Sequence, residues 1–213
     1  MFSEAWARLF AALADDIASV LRRAREDSSS KAILPVPERV FRCFSLFSPE
    51  DTRVVIVGQD PYHTPGVPTG LAFERNTEHQ GRIPPSLVNV FRAVRHTYPN
   101  ATCDIESWAH QGVLMLNRSL TVEAHKPNSH AKLWRPITDA MVRMLSTAAR
   151  ARDQRIVFML WGNSAKELVS LIDTDFHMVL THTHPSPLSR KPFVGCDHFR
   201  RCNEEIANGR IQW

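Results

Sequence analysis

The chain has 213 residues, 43% of them hydrophobic and 23% charged, with a net charge of +4. These are ordinary values for one sizeable globular domain, and they argue against disorder as a general description. No apolar run reaches the roughly 18–20 residues that a membrane span needs, and the charge is too mild to name a polyanionic partner by itself.

The first sixteen residues carry Glu4, Asp15 and Asp16 and lack a basic stretch before an apolar one, which argues against a secretory signal. Ala5, Leu9, Phe10, Leu13, Ile17, Val20 and Leu21 recur at helical spacing and predict a helix over 4–25. The segment EDSSSK at 26–31 breaks that pattern. It reads as a break or a linker, but the roughly 25 residues before it are too few to bury a core of their own. The reading is therefore one domain over 1–213, with a helical arm at about 1–30 packed on it. The four cysteines, Cys43, Cys103, Cys196 and Cys202, do not make a disulfide framework, and a reducing compartment is expected.

Four short apolar runs come next: VVIV at 54–57, VLML at 113–116, IVFML at 156–160 and MVL at 178–180. Each is continuous rather than alternating, as a strand buried on both faces should be. Helical patterns over 86–97, 134–149 and 164–172 lie between them. Pro84 and Pro85 mark one helix start, and Asn163 or Ser164 is placed to cap another. Strands alternating with helices predict an α/β fold, a central four-stranded parallel sheet flanked by helices.

Each run gives way to a polar segment. GQDPYH stands after the first, Asn117 after the second, WGNS after the third and THTHPSPLS after the fourth. In open parallel sheets the carboxyl edge is where ligands bind, so Asp60, Asn117, Ser164 and His184 are expected to converge. Asp60 reads either as a turn aspartate or as a carboxylate that orients water or faces a developing cation. His184, in a Pro-Ser-Pro setting, is either an exposed loop imidazole or a donor to a developing anion. Asn117 either satisfies nearby backbone or presents a donor and an acceptor side by side, the pattern that reads one edge of a nucleobase. Phe73 is core or a stacking platform, and Tyr62 is packing or a steric wall. Ser86, Ser164 and Ser186 sit in segments with Pro or Gly, as turns do and as phosphate-contacting loops do. Leu188 between Pro187 and Ser189 is a turn anchor or a wedge between bases. The array Cys196, His198, Cys202 lacks a second chelating pair and argues against zinc; an iron–sulfur cluster would need the isolated Cys43 and Cys103 as well. There is no P-loop and no dinucleotide fingerprint.

Taken together these motifs resemble the family 1 uracil-DNA glycosylases. GQDPYH at 58–63, GLAF at 70–73, PPSL at 84–87, GVLMLN at 112–117, LTV at 120–122, NSH at 128–130, LWG at 160–162, HPSPLS at 184–189 and GCxHF at 195–199 stand in that family's order, over about residue 35 to Trp213. The resemblance implies the family's three-layer sandwich and hydrolysis of the N-glycosidic bond of a flipped-out deoxyuridine in DNA. It implies that Asp60 positions water and stabilises the cationic sugar, and that His184 donates to uracil O2. Asn117 would bind O4 and N3, Phe73 would stack on the base, and Tyr62 would block the 5-methyl of thymine. Gln59 would add backbone contact and His63 would support the loop. Ser86, Ser164 and Ser186 would pinch the DNA backbone while Leu188 enters the minor groove. No metal or organic cofactor is implied. The expected partners are uracil-containing single- or double-stranded DNA and a DNA-mimic inhibitor protein, with no membrane and a monomeric state. The expected compartment is the cytoplasm of a bacterium, or the nucleus for a eukaryotic or viral form. Glu74, Arg75, the loop at 64–69, Leu133–Trp134 and the IQW ending depart from the family's usual residues. A binding module with the fold but no catalysis, and a metal-dependent hydrolase, are the competing readings.

Overall fold

The computed structural model describes residues 2–28, 31–193, 195–206 and 209–213. Four strands, β2 (Val54–Gly58), β3 (Val113–Asn117), β5 (Val157–Trp161) and β6 (Met178–His182), form one parallel sheet in the order β3-β2-β5-β6. Residues in β2, β3 and β5 are buried along their whole length, as continuous apolar runs require when both faces are covered. The register sets Gly58 opposite Asn117, and Trp161 opposite His182, so the loops after all four strands leave from one edge.

The fourth run differs from expectation. β6 is an edge strand in which Leu180 alone is fully buried, whereas β3, at the other edge, is buried throughout, so it is the cover over the faces of β6 that is thinner. The sheet is covered by helices. Helix α5 (Ala131–Ala151) begins before the predicted 134 and carries Pro136 inside it. Its stripe of Leu133, Ile137, Met141, Leu145 and Ala149 repeats every four residues and is buried. Helix α3 (Pro85–Thr97) starts on the expected proline pair and packs against α7 (His198–Glu205), which periodicity does not pick out. The short helix α4 (Ile105–Ala109) is capped by the Asp104 side chain and leads into β3.

The predicted 4–25 helix is two helices. α1 (Glu4–Leu9) and α2 (Ala14–Asp27) are separated by a 3-10 turn at Ala11–Leu13. The turn lets α1 dock near the Pro49–Asp51 turn while α2 lies along α5. Trp6 anchors α1: its ring lies 5.2 Å from Phe44, and its Nε1 donates to the Phe47 carbonyl at 2.7 Å. Within the EDSSSK break, Ser29 and Ser30 lie outside the described residues. Just after it, β1 (Ile33–Leu34) pairs antiparallel with β4 (Val122–Glu123), a small ribbon that the sequence patterns do not reveal. The helix predicted over 164–172 is a single α turn, α6 (Asn163–Lys166), continued by a 3-10 stretch. Its cap is Gly162, at φ 90°, and neither Asn163 nor Ser164 serves as one.

Candidate active site

A cavity of about 550 Å³ opens at the carboxyl edge of the sheet. Ten of the eleven residues singled out in sequence line it: Gln59, Asp60, Tyr62, His63, Phe73, Ser86, Asn117, His184, Ser186 and Leu188. Ser164 does not. Its hydroxyl accepts from Arg135 at 3.5 Å and its carbonyl accepts from Arg118, so the expected convergence holds for Asp60, Asn117 and His184 alone.

Asp60 leaves the end of β2 on an irregular loop. Its Oδ2 accepts the backbone N–H of Asn128 at 2.6 Å. Asn128 has φ 63°, a left-handed conformation that asparagine tolerates, and its Oδ1 accepts from Gln59 Nε2 at 2.8 Å. Burial pushes the Asp60 carboxyl above its ordinary range, against the opposing pull of the Asn128 N–H, Gln59 and His63. In sequence Asn128 stands out only as part of the NSH motif; its role becomes visible through a φ value and a contact 68 residues away in the chain.

His184 is held from behind. The backbone N–H of Ser186 donates to its Nδ1 at 3.0 Å, which assigns the proton of the neutral ring to Nε2. Burial lowers its pKa, so the neutral form holds at neutral pH. Gly162 backs this ring: a Cβ there would stand 2.9 Å from His184 Cβ.

Asn117 closes β3, is buried, and keeps its carboxamide toward the cavity without a hydrogen-bond partner among the described residues. The next residue, Arg118, ties this strand end down. Its guanidinium pairs twice with Asp139 of α5, at 2.8 and 2.7 Å, and once with Glu167 at 2.6 Å. Burial works against its charge, and these two carboxylates more than compensate. Phe73 sits in the left-handed region at φ 64°, which costs an aromatic residue about 1–2 kcal/mol. Its carbonyl accepts from Tyr62 Oη at 3.0 Å, and its ring stands 5.4 Å from Trp161 and 6.0 Å from His184. The Tyr62 hydroxyl also meets Ser86 Oγ at 3.2 Å, and burial pushes its pKa up to about 12. The Ser186 hydroxyl accepts the Leu188 N–H at 3.2 Å within its own turn, while Leu188 is 92% exposed.

Four of the departing residues have local partners. Glu74 lines the cavity with its charge taken up by Arg42 at 2.5 Å, and Arg75 donates to the carbonyls of His79 and Gly81. Trp134 donates to Thr121, and Trp213 is buried against Phe199 and Trp108. Among the described residues no group of three or more His, Cys, Asp or Glu could hold a metal ion. Cys196, His198 and Cys202 are buried, and His198 Nδ1 is occupied by Trp161 Nε1 at 3.0 Å.

Residues 44–207 match the family model for the uracil DNA glycosylase superfamily. The chain is 46% identical over 189 residues to the uracil-DNA glycosylase of Campylobacter curvus, covering 85% of this chain and 79% of that protein. With the Bordetella pertussis uracil-DNA glycosylase it shares 44% over 200 residues, 90% of this chain and 77% of the other. Among solved structures, a mimivirus UNG variant in complex with UGI superposes with a TM-score of 0.87 at 25% identity, over 100% of this chain and 89% of that one. Sequence, sheet order and cavity thus agree, and the chain belongs to the uracil DNA glycosylase superfamily.

Proposed function

We propose that the chain, acting as a monomer and one catalytic unit, hydrolyses the N-glycosidic bond of deoxyuridine in DNA, releases uracil and leaves an abasic site for repair. The observation that carries this reading is the placement of His184. Its Nδ1 is filled from behind by the Ser186 N–H and its Nε2 has no hydrogen-bond partner among the described residues, in the same cavity as a carboxylate and an open carboxamide.

Breaking the bond makes two charges. The C1′–N1 electron pair leaves with uracil, and the sugar becomes oxocarbenium-like until water adds. Asp60 orients that water and faces the cation; His184 Nε2–H donates to O2 of the departing anion. A neutral donor suits the step because it asks no proton of solvent. Asn117 reads O4 and N3. Cytosine places a donor where O4 would be and leaves a buried group unpaired, at a cost of roughly 1–3 kcal/mol. Phe73 stacks on the base, and the Tyr62 ring occupies the space a 5-methyl would need. Extruding the base costs a few kcal/mol. Phosphate contacts at Ser86 and Ser186 and the exposed Leu188 offset it. The mimivirus UNG variant in complex with UGI supports a DNA-mimic protein as a competitor for the same face here. No helix among the described residues is long and apolar enough to cross a membrane. The two relatives named above are bacterial, which favours the cytoplasmic compartment.

The test is uracil release from a uracil-containing oligonucleotide, single- and double-stranded, with chelator present. Release persists, and Asp60→Asn and His184→Leu each lower kcat by roughly 10²-fold or more while DNA affinity moves little. Loss of binding in proportion to rate would mark both residues as structural, and activity abolished by chelator would favour a metal-dependent reaction.

A further inference from the structure

We propose that the junction after α2 is a positioning element for Asp60, acting through Ser28 and Lys31 on the turn at 123–130 that holds its carboxylate. This rests on Asp60 carrying the reaction in the proposed function.

The grip on Asp60 comes mainly from outside its own loop, where Gln59 Nε2 reaches Oδ1 only at 3.4 Å. The 2.6 Å hydrogen bond comes from Asn128, and the same turn meets the Asp60 loop again where His125 N–H donates to the His63 carbonyl at 2.8 Å. Residues 125–128 of that turn are exposed, so packing does not place them. Besides the hydrogen bonds it makes to the Asp60 loop itself, from Gln59 to Asn128 and from His125 to His63, the turn is held by its two roots, and both roots are tied to the residues just after α2.

The first root is β4. It pairs with β1, and Ala124 N–H donates to the Ala32 carbonyl at 2.8 Å. Glu123 has a side chain only 5% exposed, and Lys31 meets its Oε1 at 2.9 Å. Lys126 reaches the other oxygen at 3.4 Å, but from inside the turn, so it ties the turn only to itself. A surface ion pair by itself is worth little; this one adds to the β1–β4 pairing, and Lys31 is the first of the groups that hold the Glu123 carboxyl below its ordinary range. The second root is His130, fully buried at the start of α5. Trp134 Nε1 donates to Thr121 Oγ1 at 2.7 Å, and the assignment that leaves no hydroxyl hydrogen of Thr121 unpaired has it donate to His130 Nδ1 at 2.9 Å. His130 Nε2–H then donates to Ser28 Oγ at 3.0 Å. Ser28 ends α2, which is seated by Ile17, Val20 and Ala24. Two separate linkages thus carry the placement of the arm to one catalytic carboxylate.

The experiment compares Lys31→Ala, Lys31→Arg and Ser28→Ala by steady-state uracil release across pH, with thermal melting beside it. Both linkage-breaking variants should lower kcat about three- to tenfold, since small misplacements of reacting groups are costly, with KM for DNA within about twofold. The acid limb of the rate profile should move to higher pH, because a looser Asn128 N–H stabilises ionised Asp60 less. Among the charged and titratable groups around Asp60, namely His63, His125, Lys126 and His184, His63 is the one whose charge acts on it, and it is unchanged in every variant. Lys31→Arg should restore rate and profile. Ser28→Ala alters no charge. If Lys31→Ala alone shifts the acid limb, the effect is charge at a distance and the inference falls. It falls also if kcat is unchanged, or if Lys31→Ala lowers an Asp60→Asn enzyme by the same factor. An Asp60→Asn enzyme of undiminished rate would instead overturn the reading of the site.

Discussion

Gly58→Ala is a perturbation of one atom. Gly58 ends β2 directly opposite Asn117, outside the left-handed region, so alanine brings no backbone strain. The new Cβ would meet Asn117 Oδ1 at 2.5 Å, with Ala72 Cβ at 3.2 Å and Phe73 Cε2 at 3.4 Å beyond it. Comfortable non-bonded contacts lie near 3.5 Å, so the carboxamide must swing by about 1 Å while the other two atoms yield slightly. Asn117 would then lose its pairing with uracil. Two hydrogen bonds at about 1 kcal/mol each, one of them left unmade in a buried site, give about 1–3 kcal/mol. At about 1.4 kcal/mol per tenfold, kcat/KM for uracil release falls roughly 5- to 150-fold. The assay is steady-state release from a uracil-containing duplex, with thermal melting and affinity for uracil-free DNA measured in parallel and expected to change little. A kcat/KM within about twofold of the parent would refute the claim that Asn117 reads the base from this position. A rate loss matched by an equal loss of folded protein would assign the contact to packing instead.

Two further outcomes are expected. Asn117→Asp should release cytosine and Tyr62→Ala should release thymine from DNA; if neither variant acquires the new base, the assignment of the cavity walls is wrong. Folding stability should fall as pH drops from about 6.5 to 4. His198 is buried and its pKa is lowered to about 4, by burial first and by His182 second. The unfolded chain binds a proton in that window that the folded chain does not, so stability rises with pH across it and is fully present above it. The full window corresponds to about 3 kcal/mol for this one group. Urea midpoints that do not change between pH 7 and 4.5 would contradict it.

Much of the site was legible in the chain because buried parallel strands are continuous apolar runs, and the residues just past such a run land at the sheet edge. Asp60, Asn117 and His184 emerge that way, Asn117 directly after its run and the other two within four residues of theirs. Ser164 obeyed the same rule and failed it. The turn at 162–166 faces Arg118 and Arg135 rather than the cavity, and nothing in a Gly-Asn-Ser triplet encodes which way it faces. Periodicity also treats 4–25 as one helix, because the apolar phase runs on unbroken through the 3-10 turn that redirects it. Local patterns, then, determined the strands, the edge where the cavity opens and most of the residue types that line it. The tertiary structure alone decided what holds them. The Asn128 N–H on Asp60, the Ser186 N–H that sets the His184 proton, the Arg118 hub and the Ser28–His130 link are all made or completed by groups whose approach depends on how the loops fold back. Hydrogen-bond geometry of that kind has no period and no composition, so it leaves no trace in a sequence.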